Sequence, residues 1–212
     1  MQNKFIVIEG IEGSGKTNAC KQVEKSLKLF GINNSVLIRE PGSTKIGEKI
    51  RKIVKEKNID EKITKKTELL LMYAARTQLI ETVIKPELKK GSWIISDRFD
   101  MSSIAYQGAG SRININLINN LKKFLVEPLY PDLILYLDID PIIGLKRIKK
   151  NRKYLDRIEQ KKISFFIRAR KKYLELINLN PTAIKINANQ KISIVNELVH
   201  KTVKKWLKKV KK

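Results

Sequence analysis

Eight residues near the start, Gly10-Ile11-Glu12-Gly13-Ser14-Gly15-Lys16-Thr17, follow an apolar run at 5–8 and fit the pattern G-x-x-x-x-G-K-[ST]. A glycine-rich turn between a strand and a helix aims backbone N–H groups at one point, where the helix N-terminus adds partial positive charge. A nucleoside triphosphate fits such a cradle. Lys16 would bridge the β- and γ-phosphates, and the Thr17 hydroxyl would hold Mg²⁺. The placement between strand and helix separates this loop from a chance match of glycines.

The elements that must position this loop alternate along the chain. Strands are expected at 5–8, 35–39, 93–97, 133–138 and 183–186. Helices are expected at 17–30, 45–57, 65–90 with a kink at Pro86, 141–149, 157–178 and 191–209. In the second helix Ile46, Ile50, Ile53 and Val54 share a face. Strands separated by helices imply a parallel sheet covered on both sides, an α/β fold of the P-loop NTPase type with three layers, α/β/α, and five parallel strands. Ligands of such sheets bind beyond the strand carboxyl ends, where Gly10, Arg39, Asp97 and Asp138 fall.

At 212 residues and 42% hydrophobic, the chain can bury its core as one domain spanning 1–212. No 18-residue apolar stretch occurs, and Met1-Gln2-Asn3-Lys4 leads directly into the first strand, so a soluble, untargeted, cytoplasmic protein with no membrane partner is expected. Cys20 is the single cysteine, excludes an internal disulfide and is expected to fill core space. His200 has no cysteine, histidine or acidic cluster around it and reads as a surface helix residue, not a metal ligand. The balance of 45 Lys+Arg against 21 Asp+Glu gives a net charge of +24. The excess is mostly Lys spread over the whole chain, so it reads as compositional drift and implies no specific nucleic-acid partner. The basic run at 204–212 reads as a solvated helix face or frayed tail.

The sequence resembles the thymidylate kinase family in its bacterial form, over essentially the whole chain. The residues that carry the likeness are Ile8-Glu9-Gly10 entering the phosphate loop with an acid at Glu12, then Arg39-Glu40-Pro41-Gly42 and Ala74-Ala75-Arg76. Asp97-Arg98, Ala105-Tyr106-Gln107-Gly108, Pro131-Asp132-Leu133 and Leu155-Asp156-Arg157-Ile158-Glu159 follow in order. The resemblance implies transfer of the γ-phosphate of ATP to dTMP, giving dTDP, with Mg²⁺ as cofactor and a mobile lid at about 146–157. Gly10 to Thr17 would be the ATP-binding residues. It also implies a homodimer through long helices, for which 69–84 is the candidate; that apolar face serves equally well as core.

The chemistry fits independently. A phosphate monoester with a second pKa of about 6 is already an anionic nucleophile at neutral pH, so no general base is required. The site must instead neutralise two repelling polyanions and align acceptor oxygen with γ-phosphorus, which calls for arginines from several directions. Arg39 and Arg98, at strand ends, are placed to grip the acceptor phosphate with bidentate forks. A surface ion pair is the alternative for each. Asp97 would hold Mg²⁺ through water, or else pair with a neighbouring arginine.

By resemblance Glu12 contacts the acceptor sugar, Arg76 reaches the thymine edge, and Ser103 and Gln107 line the acceptor pocket. Tyr106 would crowd the place of a 2′-hydroxyl, with core packing as its alternative. Met72 stands where the family usually has a Phe stacked on the base, and a thioether packs there with less shape selectivity. Ser14 leaves the phosphate loop without an arginine, so a lid arginine is expected to meet the transferring phosphoryl, either Arg152 or Arg147. Lys16, Arg98 and Arg152 form the expected catalytic set. Asn187-Ala188-Asn189-Gln190 stands where the family meets adenine, or caps its loop. Two other readings share the phosphate loop: another nucleoside monophosphate kinase, and a non-enzymatic module that binds ATP or RNA.

Overall fold

The computed structural model describes residues 3–57 and 61–210; Met1, Gln2, Lys211 and Lys212 lie outside them. Five strands, β1 (Phe5–Glu9), β2 (Ser35–Arg39), β3 (Trp93–Asp97), β4 (Leu133–Asp138) and β5 (Ala183–Asn187), form one parallel sheet in the order β2-β3-β1-β4-β5. The register pairs Ile8 with Asp97, Arg39 with Asp97, and Asp138 with Asn187, so the carboxyl ends of all five strands share one edge. The central strands are near-continuous apolar runs because both of their faces are covered: every residue of β1 is buried, as are all but the last residue of β3 and β4. At about 1.5–3 kcal/mol per buried Ile, Leu or Phe, these three strands anchor the core.

Helices α1 (Lys16–Leu29), α2 (Lys45–Lys55) and α3 (Lys65–Leu79) precede β3, and the sheet-flanking α7 (Pro141–Asn151), α8 (Ile163–Asn178) and α9 (Ile192–Val210) follow β4. In α2 the buried stripe is Gly47, Ile50 and Val54, while Ile46 and Ile53, expected inside, are 52% and 48% exposed. The inward face is set by Gly47, whose missing Cβ lets the helix close on the backbone of Gly42; a Cβ there would lie 2.9 Å from the Gly42 carbonyl oxygen. The expected long helix departs from α geometry before Pro86, in a π-helical stretch Ile80–Ile84. Pro86 follows at the second position of α4 (Lys85–Lys89), just beyond that stretch.

Two features lie beyond what the periodicity sets. The stretch after β3 is helical, as a short α5 (Asp100–Ser103), a π-helical turn Ile104–Gly110 and α6 (Ile115–Leu125). The helix expected from 157 begins only at Ile163. Asp156 turns the preceding segment by accepting from the Ile158 and Glu159 N–H groups at 3.0 and 2.9 Å, and the Arg157 N–H is drawn to the Lys55 carbonyl at 3.1 Å. Cys20 is buried and free, as expected of core filling. His200 departs from its expected place on the surface. It is half-buried, with Nδ1 2.8 Å from Ser26 Oγ, tying α9 to α1.

Candidate active site

A cleft of 1410 Å³ opens above the carboxyl edge of the sheet and brings together Glu12, Gly13, Ser14, Gly15, Lys16, Thr17, Arg39, Met72, Asp97, Arg98, Tyr106, Gln107, Arg147 and Arg152. The phosphate loop reaches this shape through glycines the fold requires. Gly13 has φ +75°, and a Cβ there would meet the Gly144 carbonyl at 2.2 Å, so α7 seats directly against the loop. Gly10 and Ile11, the first two residues of the loop, are buried. Lys16 Nζ donates to the Ile11 carbonyl at 3.0 Å, and burial together with the nearby Arg98 charge lowers its pKa to about 8. Thr17 Oγ1 donates to Asp97 Oδ2 at 3.0 Å, which joins the two expected metal residues.

Arg98 is the most constrained cation of the cleft. Its φ of 76° lies in the left-handed region, disfavoured for a residue with a Cβ, and the surroundings hold it there. The Arg98 N–H donates to Ile8, Ser96 Oγ donates to the Arg98 carbonyl at 2.6 Å, and the next N–H, of Phe99, donates to the buried Glu9 carboxylate at 2.9 Å. The guanidinium then donates to the Gly10 carbonyl (2.9 Å), Glu12 Oε1 (2.8 Å) and the Tyr106 hydroxyl (3.0 Å), and lies over the Tyr106 ring at 4.8 Å. Burial works against its charge, but Tyr106 and Glu12 outweigh that and hold its pKa above the ordinary value. Tyr106 donates in turn to Glu12 Oε2. Glu12 thus turns out of the phosphate cradle toward donors, which relieves the repulsion a carboxylate would otherwise exert on an anionic ligand.

The other arginines differ in how they are held. Arg39 is 53% exposed and pairs with Glu48 at 3.0 Å. Arg51, which sequence reasoning missed, also lines the cleft and donates to the Pro41 carbonyl at 2.8 Å. Arg76 is 1% exposed: it pairs with Glu40 at 2.8 Å and donates to Ser103 Oγ at 2.9 Å and the Phe99 carbonyl at 3.1 Å. Arg76 and Ser103 therefore lie under the cleft floor, where packing and hydrogen bonds absorb them, while Met72, Tyr106 and Gln107 form its surface. Asp138, at the end of β4, is taken up by Arg170 at 2.8 Å. Arg147 donates to the carbonyls of Ala188, Asn189 and Gln190 at 2.8, 3.0 and 2.8 Å, which commits it to the loop after β5. Arg152, paired among the described residues only with Glu159 and 53% exposed, keeps the freedom Arg147 lacks.

A parallel sheet with a phosphate loop at the end of β1, and cations from several segments over one cleft, define a P-loop nucleotide-binding phosphotransferase. The sequence pattern of the thymidylate kinase family matches residues 8–199. The chain is 52% identical over 207 residues to thymidylate kinase of Buchnera aphidicola subsp. Schizaphis graminum, covering 98% of this chain and 97% of that one. It is 48% identical to thymidylate kinase of Vibrio parahaemolyticus, covering 98% of each. A solved thymidylate kinase structure from Ehrlichia chaffeensis superposes with a TM-score of 0.76 at 31% identity, covering 98% of this chain and all of that one. The chain belongs to the thymidylate kinase family and is an enzyme.

Proposed function

We propose that this enzyme transfers the γ-phosphate of ATP to dTMP, forming dTDP for dTTP synthesis in the cytoplasm, by in-line displacement without a general base. The observation that carries the reading is the convergence on one cleft of Lys16, Arg39, Arg98 and Arg152 around the Glu12–Tyr106 pair. Lys16 and the loop N–H groups bind the donor phosphates. Arg39 and Arg98 hold the acceptor phosphate, the latter aimed in advance by its contacts to Gly10 and Glu12. Tyr106 and Glu12 bound the sugar side, and Met72 and Gln107 the base. Arg152 comes from the 146–157 lid to the transferring phosphoryl and Arg147 steadies the adenine-side loop.

The Thr17 hydroxyl and Asp97 carboxylate, in contact beside the phosphate loop, are hard oxygen donors of the kind Mg²⁺ takes. When bound there, Mg²⁺ would neutralise phosphate charge. Among the described residues no helix is long and apolar enough to cross a membrane. Leu70 on α3 is 58% exposed and adjoins an exposed Ala74, which supports a homodimer through this helix. Elution as a monomer in gel filtration would remove that part.

The direct test is a coupled ADP-release assay with dTMP, dUMP, dGMP and the ribose analogue of dTMP. Fastest turnover with dTMP and a marked loss with the ribose analogue are expected. ADP release independent of any monophosphate, or turnover equal across the panel, overturns the reading.

A further inference from the structure

Glu68 lies in the first turn of α3 with its side chain 4% exposed, and both carboxylate oxygens are engaged. Oε1 accepts from Gln107 Nε2 at 2.8 Å, and Oε2 from Arg157 Nη2 at 2.6 Å. Arg157 is pinned to α2, its Nε donating to the Val54 carbonyl at 2.8 Å, so Glu68 cannot swing away to follow another partner. A carboxylate facing a guanidinium accepts hydrogen bonds and donates none.

The two ends of the Gln107 carboxamide are nearly equal in shape, so only hydrogen bonding decides which way it points. Turned over, it would set Oε1 against the Glu68 carboxylate, acceptor against acceptor, in a buried place. As it stands, Nε2 faces Glu68 while Oε1 is buried with no hydrogen-bond partner among the described residues, on a side chain that lines the cleft beside Met72. A buried acceptor without a partner is expensive unless a ligand supplies the donor.

We propose that Glu68, anchored by Arg157, is a positioning residue that fixes Gln107 with its carbonyl available to the base, and so selects an acceptor whose ring nitrogen carries a hydrogen. Thymine and uracil have such an imide N–H. Cytosine presents a bare nitrogen at the same ring position, a second acceptor. Discrimination against cytosine is thereby built two residues deep, in a carboxylate that does not touch the base. This inference rests on dTMP being the acceptor.

The test is the ratio of kcat/KM for dTMP to that for dCMP in the wild type, Glu68→Gln, Glu68→Asp, Gln107→Met and the Glu68→Gln/Gln107→Met double variant. Glu68→Gln keeps the shape but adds an N–H₂ that can face Gln107 Oε1 and let the amide invert. Its ratio is expected to fall at least about tenfold, chiefly through KM for dTMP. Glu68→Asp, with a shorter reach, loses a smaller part of the ratio and serves where Glu68→Gln does not fold. In the Gln107→Met background the Glu68 change is expected to leave the ratio unmoved. A purely structural role lowers both substrates alike, so a ratio within twofold of wild type in Glu68→Gln, or in Glu68→Asp where that variant does not fold, overturns the proposal. A wild type that turns over dCMP as well as dTMP overturns the thymidylate reading itself.

Discussion

Replacing Glu12 by Ala tests whether this carboxylate serves the acceptor or the donor. It sits inside the phosphate loop, yet its oxygens accept from Arg98 Nη2 at 2.8 Å and from the Tyr106 hydroxyl. The Glu12 and Arg98 side chains are 15% and 14% exposed, so the pair is little screened by solvent. A hydrogen bond to a charged group is worth about 1.5–3 kcal/mol when its partner stays behind. On the proposed roles, loss of a sugar contact and of the aim of Arg98 both raise KM for dTMP. One effect opposes them: without Glu12 an entering phosphate has no competitor for the guanidinium. Arg98 still keeps the Gly10 carbonyl and the Ser102 hydroxyl, at 2.9 and 3.2 Å, so its release gains little. The net loss is about 1–2 kcal/mol, a rise of roughly 5- to 30-fold in KM for dTMP. Initial rates are measured with dTMP varied at saturating ATP, then the reverse. KM for ATP is expected to stay within about twofold. An unchanged KM for dTMP with a raised KM for ATP would return Glu12 to the donor side.

Lys16, lowered to about 8 by burial and Arg98, loses its proton in the free enzyme as pH rises through that value. Values of kcat/KM for ATP are therefore expected to decline above about pH 8, while kcat, which reports the bound complex where triphosphate restores the ammonium, stays level over the same range; a parallel fall of both would exclude Lys16 as the titrating group. The unfolded chain keeps that proton to higher pH, so the unfolded state binds more protons above about 8 and this group's contribution to stability rises with pH there. Arg152→Ala is expected to cut kcat far more than either KM, whereas Arg147→Ala, which frees the Ala188, Asn189 and Gln190 carbonyls, raises KM for ATP; single-turnover rates separate the two, and full kcat in Arg152→Ala moves the role elsewhere. Gly31→Ala, at φ +78° in open space, is expected to lose only the backbone part, about 1–3 kcal/mol, in thermal unfolding, and Gly13→Ala, which at φ +75° also places a methyl 2.2 Å from the Gly144 carbonyl, is expected to lose more than that.

Features that depend on neighbours in the chain were readable from it. The phosphate loop is one, since eight consecutive residues make the turn and the helix start; the strands are another, since burial on both faces demands unbroken apolar runs. Arg39, Asp97 and Arg98 followed because each is the last residue of a strand or the one after it. Arg98 shows where that reach ends, because its left-handed backbone is held by Glu9, 90 positions from Phe99. Arg147 and Arg152 were indistinguishable as letters in one basic segment, and only the carbonyls after β5, 41 to 43 positions away from Arg147, separate them.

Glu68 carried no signal at all, standing as one polar residue in the first turn of a helix. Its meaning comes from Gln107 and Arg157, 39 and 89 positions along, brought to it by the packing of three separate elements. Local pattern determined which groups this chain owns for phosphate chemistry and at which edge of the sheet they emerge. Tertiary packing decided which of them are free to meet a ligand, because a buried charge or amide must spend its hydrogen bonds on whatever the fold sets against it, and spacing along the chain does not encode that choice.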